Sequence, residues 1–444
     1  MDAFLLPKKK LTSFQIIILG FFGVISLGAI LLMLPLSSQA GCATPFLDAL
    51  FTSTSAVCVT GLVLHDTATY WSIFGQTVIL VLIQIGGMGV ITVAAAFALI
   101  SGRKISLMQR STMQEAISAP KVGGIVRLTS FIIKTTLLIE LLGAAAMTPV
   151  FCRDFGVKGL WMALFHSISA FCNAGFDLMG ARAPFSSLTS YAAQPVINLV
   201  VMLLIVIGGI GFLTWDDIRS NRLHFHRYRM QSKIILCTTA LLLAVPAVYL
   251  FFFEFDALPM KERVLASLFQ SVTPRTAGFN TVDLASLSEA GQCITIVLML
   301  IGGSPGSTAG GMKTTTVAVL FATAISTFRR RESAHFFWRR VDDDVVKNAA
   351  TILVMYLALF FFGGLAISIV EELPILTCLF EAASAVGTVG LSLGITSGIG
   401  VVSKLILIIL MFCGRVGGLT LIFATLSGTR SNVSKFPREK VTVG

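Results

Sequence analysis

Four stretches of the chain decide its fold. Leu50-Phe51-Thr52-Ser53-Thr54-Ser55-Ala56 leads to Gly61, and Leu164-Phe165-His166-Ser167-Ile168-Ser169-Ala170 leads to Gly175. Leu268-Phe269-Gln270-Ser271 leads to Gly278, one residue sooner, and Leu379-Phe380-Glu381-Ala382-Ala383-Ser384-Ala385 leads to Gly390. A hydrophobic residue follows each glycine: Leu62, Phe176, Phe279 and Leu391. Each stretch runs for about a dozen residues, too short to cross a bilayer and too apolar for an ordinary loop. It reads as a half-helix that enters the membrane from outside and turns back at the glycine. Irregular backbone at membrane depth is tolerated only where it lines a wet path or is buried in protein.

The rest of the chain fits this reading. Of 444 residues, 55% are hydrophobic and only 12% charged, about half the charge that a soluble surface needs. Apolar runs lie near 14–36, 71–101, 128–150, 195–216, 232–253, 292–327, 349–370 and 402–425, each the length of a spanning helix. The first follows Met1–Lys10 directly and is too long for a signal-peptide core, so it is taken as the first span. The expected fold is all-α and membrane-embedded: eight transmembrane helices in four repeats of span, re-entrant pore helix and span, around one central pore. The repeats are 1–110 (pore segment 44–62), 111–224 (158–176), 225–335 (262–280) and 336–444 (374–391).

Charge sets the orientation. Segments 1–13, 102–130, 216–233, 328–348 and 427–444 hold 23 of the 33 Lys and Arg residues. Segments 37–70, 151–194, 254–291 and 371–401 hold six, against twelve acidic residues. The basic set belongs on the cytoplasmic side, which puts both termini inside. The basic loops are topology signals or, alternatively, docking surfaces for a cytosolic partner. The net charge of +11 is therefore no sign of nucleic-acid binding. The eight cysteines are scattered, without metal spacing. No nucleophile–base set, intramembrane carboxylate pair or nucleotide loop is present, which argues against an enzyme.

Three features carry the chemistry. The first is the proposed filter: Val57-Cys58-Val59-Thr60-Gly61, Phe171-Cys172-Asn173-Ala174-Gly175, Pro274-Arg275-Thr276-Ala277-Gly278 and Val386-Gly387-Thr388-Val389-Gly390. Their side chains differ, which suits coordination by backbone carbonyls, the means by which a filter replaces the water around K⁺. Each segment has one clear glycine at its tip, so strong cation selection is expected, with weaker discrimination of K⁺ from Na⁺. The second is Gly302-Gly303-Ser304-Pro305-Gly306-Ser307-Thr308-Ala309-Gly310-Gly311-Met312-Lys313. Its glycines and proline break the sixth span into two halves joined by a loop below the filter, either a gate or a static connector. The third is Arg415. It matches Gly87, Gly209 and Gly303, the second members of glycine pairs in the other repeats. A charge within a span is a functional candidate: Arg415 bonds the loop, sets a barrier, or pairs with Glu140. Lys313 is expected to snorkel toward the cytoplasm. Arg275 and Asn173 line the path or brace the pore helices. Glu381 concentrates cations at the entrance or bonds within its helix cluster. His166 is expected to be packed.

With those motifs in this order, the chain resembles the Trk/Ktr/HKT superfamily of potassium transporters over nearly its whole length, most like the KtrB-type membrane subunits. Gly306 to Lys313 resembles the family's intramembrane gating loop, with Pro305 and Gly-Gly-Met-Lys closer to the Trk version, and Gly414-Arg415 resembles the arginine that opposes it. The resemblance implies K⁺ uptake, often Na⁺-stimulated, by a homodimer with one pore per subunit in the bacterial plasma membrane. It also implies a cytosolic ring of nucleotide-binding regulatory subunits, so that nucleotide binds the partner and this chain carries no cofactor. An ion-coupled symporter with alternating access is the competing reading. It favours inverted repeats and acidic midplane sites.

Overall fold

A computed structural model describes residues 12–100, 106–117, 123–222, 224–418 and 420, with backbone alone over 97–100. The expected ends of the chain and the far end of the 402–425 run lie outside the described residues.

The four half-helices form where the sequence places them: Phe46–Val57, Lys158–Phe171, Met260–Val272 and Ile375–Gly387. Three begin directly after a proline, Pro45, Pro259 and Pro374, at a point where a helix loses nothing by lacking an N–H. At twelve to fourteen residues they are about 20 Å long, so none can cross alone. The recurrent phenylalanine of each, Phe51, Phe165, Phe269 and Phe380, is fully buried, as are Leu62, Phe176, Phe279 and Leu391 after the glycines. The repeat signal in the sequence is thus the inner packing layer of the molecule.

Around this layer stand Ser13–Met33, Ile73–Met88 with Val90–Ile100, Ile125–Phe155, Pro195–Gly209 with Phe212–Asn221, Met230–Tyr249, Glu289–Leu300 with Thr314–Phe328, Asp343–Glu371 and Val401–Val416. These are the eight expected positions. Their outer faces expose large apolar side chains such as Leu138, Leu142, Leu203, Phe361 and Phe362, the surface of a protein bathed in lipid. Pore helices seat against spans in a repeated way. The Ser53 hydroxyl donates to the Ile25 carbonyl at 2.7 Å and the Ser167 hydroxyl to the Glu140 carbonyl at 2.6 Å. Gly28 and Gly143 leave room for the two serines.

The runs at 71–101, 195–216 and 402–425 are not continuous helices as expected. The second and fourth spans bend by 98° and 95°, and the last helix stops at Val416. The cause is a further glycine, Gly89, Gly211 or Gly417, each at φ near +90° and two residues beyond the glycine-pair position. The first glycines of three of those positions, Gly86, Gly208 and Gly414, lie against the carbonyls of Val57, Phe171 and Val386 at the ends of their own pore helices. Broken second spans are therefore the rule here, and the sixth span is the extreme case.

A connecting helix, Leu107–Ile117, straddles the unit boundary drawn at 110/111. A hairpin pairs His335–Phe336 with Arg339–Arg340, across the boundary at 335/336.

Candidate ion pathway

The four filter segments close into a ring. A Cβ on Gly61 would lie 2.5 Å from the Ala174 carbonyl oxygen, and one on Gly175 2.8 Å from that of Ala277. On Gly278 it would strike the Val389 oxygen, and on Gly390 the Thr60 oxygen. Each segment thus abuts the next, and the fourth abuts the first. All four glycines take positive φ, from +69° to +93°, which only glycine does freely. A second alternation lies two residues earlier: Val59, Asn173, Thr276 and Thr388 also have φ between +52° and +69°. For a β-branched residue this is a strained conformation. It gives each segment the twist that the sequence suggested only at its single terminal glycine.

Thr60, Ala174, Ala277 and Val389 are fully buried. Among the described residues, no N–H or O–H donates to their carbonyls. Buried carbonyls are nearly always paired, with protein or with ordered water, so these four, each against the glycine of the neighbouring segment, are acceptors left free by the protein.

One hydroxyl per repeat holds the segment in place. Gly61 N–H donates to the Ser55 hydroxyl at 3.1 Å and Gly390 N–H to that of Ser384 at 3.0 Å. In the other two repeats the hydroxyl is the donor, from Ser169 to the Phe176 carbonyl at 2.7 Å and from Thr273 to that of Phe279. These clamps were not singled out from the sequence. The signal was present: a serine six residues before the glycine in three repeats and, in the shortened third, a threonine five before it.

The ring lies between two cavities. The outer one, about 280 Å³, is lined by all four glycines and by Asp66, Asp177 and Asp283. The inner one, about 240 Å³, is lined by Gly87, Gly306, Ala309, Lys313, Arg415 and their neighbours.

The glycine loop separates the inner cavity from the ring. Gly310 leaves no room for a Cβ beneath Thr388, nor Gly311 beneath the Gly387 carbonyl. The other repeats hold the loop by their glycine-pair carbonyls. Ser304 N–H donates to the Gly209 carbonyl at 3.0 Å, Thr308 N–H to Gly208 at 3.2 Å and Gly311 N–H to Gly414 at 3.2 Å. Gly302 N–H donates to the Met312 carbonyl at 2.8 Å, which closes the loop at its base. Gly303 faces Ala309, Gly306 touches the Ile117 carbonyl and Pro305 lies against Gly211. The Ser307 hydroxyl donates to the Ser304 carbonyl at 2.7 Å.

Arg415 is in the last turn of its helix, where the carbonyl end favours a cation. It donates to the carbonyls of Gly86, Gly87 and Thr308. It does not pair with Glu140, whose carboxylate takes the Gln84 amide at 3.2 Å. Lys313 does not snorkel. Its ammonium turns back to the Ala309 and Gly310 carbonyls at 2.8 and 3.3 Å, acceptors that the loop itself supplies. Asn173 braces: its amide bonds Arg275, Thr276 and Thr308. Arg275 is buried and reaches Thr239 at 3.5 Å. Glu381 is buried rather than free at the mouth, and takes bonds from Ser392, Leu393 and Thr396. His166 is packed: one ring nitrogen lies 2.7 Å from the Met162 carbonyl, and the other accepts from Leu178 N–H.

Comparison with known proteins decides the family. The family model described as TrkH, cation transport protein, matches residues 5–431. The chain belongs to the TrkH cation-transport family. It is 39% identical over 452 residues to the potassium/sodium uptake protein NtpJ of Enterococcus hirae, covering 98% of both chains. It is 38% identical to the Ktr system potassium uptake protein B of Bacillus subtilis, over 98% of this chain and 97% of that one. Its fold matches the crystal structure of TrkH from Vibrio parahaemolyticus with a TM-score of 0.74 at 20% identity, covering 95% of this chain and 86% of that one. As a member of this family the chain is an integral membrane transporter and not an enzyme.

Proposed function

We propose that this chain is the ion-conducting membrane subunit of a potassium uptake system. In this reading the four glycine turns form the K⁺ filter, and the loop 302–313, with Arg415, is its gate in the closed position. The observation that carries the proposal is the closed ring of buried carbonyls without donors at Thr60, Ala174, Ala277 and Val389. Four carbonyl dipoles substitute for the hydration shell of a monovalent cation. The pore helices aim the negative ends of their dipoles at the same place. Below the ring, the loop fills the path, and the charges of Arg415 and Lys313 repel cations arriving from either side. The relatives' printed names, potassium/sodium uptake and Ktr system potassium uptake, agree with K⁺ as the transported ion and leave room for Na⁺ stimulation.

The printed name of a Ktr system supports a further, regulatory subunit, and our reading of the assembly is a homodimer in the bacterial plasma membrane, both termini cytoplasmic, with a cytosolic nucleotide-binding ring docked on the basic loops. The symporter alternative has less support. The four repeats enter and return in one sense, and Glu140, the acidic residue deep within a span, is engaged by Gln84.

Potassium uptake in cells stripped of their own K⁺ systems tests the reading. The wild type restores growth at low K⁺. Arg415→Ala, or deletion of 304–310, raises the uptake rate at equal membrane abundance. Absence of K⁺ uptake by the wild type, supplied with its regulatory partner, contradicts the function. Unaltered flux in both variants contradicts the gate.

A further inference from the structure

The filter and the loop meet at one side chain. Asn173 is buried and held at φ +59°, a conformation that asparagine tolerates better than most residues. Its Nδ2 donates to the Arg275 carbonyl and the Thr276 hydroxyl in the third filter segment, at 3.3 Å each. With its amide nitrogen committed there, Oδ1 faces the Thr308 hydroxyl of the loop at 3.2 Å. That hydroxyl also lies 3.1 Å from the Phe171 carbonyl at the end of the second pore helix, and it has a single proton to share between the two acceptors. Thr308 is fixed through its main chain as well, by its N–H on the Gly208 carbonyl and by Arg415 on its own carbonyl. A continuous path of hydrogen bonds therefore runs from Arg415 through Thr308 and Asn173 to Thr276.

We propose that Asn173 is a positioning residue that couples the loop to the filter, so that opening the loop changes ion preference as well as rate. The proposal rests on the filter and gate assignments above. When Thr308 leaves, the Phe171 carbonyl and Asn173 Oδ1 lose their shared donor. A buried acceptor without a donor is costly. Either water enters the opened path to fill it, or the amide rotates. Rotation takes Nδ2 off Arg275 and Thr276 and frees the third segment, where the backbone already sits at positive φ.

A double-mutant cycle tests this in the intact transporter, with Asn173→Gly, Thr308→Val and the pair. Glycine accepts the backbone conformation while removing the fork, and valine keeps the shape of threonine without its hydroxyl. Maximal K⁺ uptake, KM for K⁺ and competition by Na⁺ are read at equal membrane abundance. Thr308→Val is expected to weaken K⁺ over Na⁺ preference about fivefold, the scale of one lost hydrogen bond, while Thr308→Ser restores it. Asn173→Gly is expected to raise maximal uptake as well as weaken preference, and the pair should do no more than the stronger single change. If Thr308→Val alters maximal uptake alone, or if the two changes multiply in the pair, the coupling is refuted. Should Asn173→Gly fail to reach the membrane, Asn173→Ser takes its place in the cycle. Arg415→Ala and deletion of 304–310 separate the coupling from the gate. Raised flux there with an independent cycle removes only the coupling, whereas unchanged flux in both removes the gate and the coupling together.

Discussion

At the residue scale, the proposed filter rests on the missing Cβ of each ring glycine. Any side chain there both resists positive φ and drives into the carbonyl of the next segment. Arg415 and Lys313 add the opposite device, charges spent on backbone carbonyls of the loop and of the Gly86-Gly87 pair rather than on acidic partners. Asp177, at the outer cavity, adds a pH response. Burial pushes its carboxyl up to about 7; the Met179 N–H pulls it down and nearby Asp66 pushes it up. Between the ordinary carboxylate range and pH 7, the folded state thus holds a proton that the unfolded chain has released, so this group's contribution to stability falls as pH rises. The mouth gains negative charge over the same range. Potassium uptake is predicted to rise between pH 6 and 8, and Asp177→Asn to flatten that profile while raising the melting temperature at pH 8. A slope unchanged in the variant would contradict this. The glycines, the loop and Arg415 stand out in the sequence because each breaks the rules of a membrane helix. The contacts of Asn173 and Lys313 do not, since the first depends on segments distant in sequence and the second on the loop folding its own carbonyls back toward the ammonium.

At the scale of elements, the recurring device is a half-helix ended by a hydroxyl clamp, set beside a span that breaks just beyond its glycine pair. The half-helices could be read from length and composition, since a dozen apolar residues closed by a glycine suit neither a span nor a loop. The breaks at Gly89, Gly211 and Gly417 could not. Each lies inside an apolar run, and hydropathy does not register a change in the sign of φ. The clamps are predicted to matter in proportion to what they leave unpaired. Thr273→Val orphans the Phe279 carbonyl and should cost about 2 kcal/mol, read as lower thermal stability of the purified protein together with weaker K⁺ over Na⁺ preference. Thr273→Ser should retain both. Loss of stability with ion preference intact would make the clamp a fold element only.

At the scale of the whole molecule, the four repeats form one ring although the chain is linear, and the closure between the last and first repeats carries its own ion pair. Lys404, on the final helix, donates to Asp48 in the first turn of the first pore helix at 2.8 Å, and His65 approaches the same carboxylate at 3.2 Å. Both Lys404 and Asp48 are mostly shielded from solvent. Lys404→Met is predicted to lower stability by about 2 kcal/mol, measured by thermal unfolding in detergent, and an unchanged melting temperature would show that closure rests on packing alone. If Gly61, Gly175, Gly278 and Gly390 make a single ion-selecting ring, each of them is needed for the K⁺ over Na⁺ discrimination of the purified transporter in liposomes, measured for wild type and each of the four Gly→Ser variants. Every variant, Gly278→Ser included, is predicted to lose discrimination; wild-type discrimination in any of the four would mean that the glycines do not act as one ring.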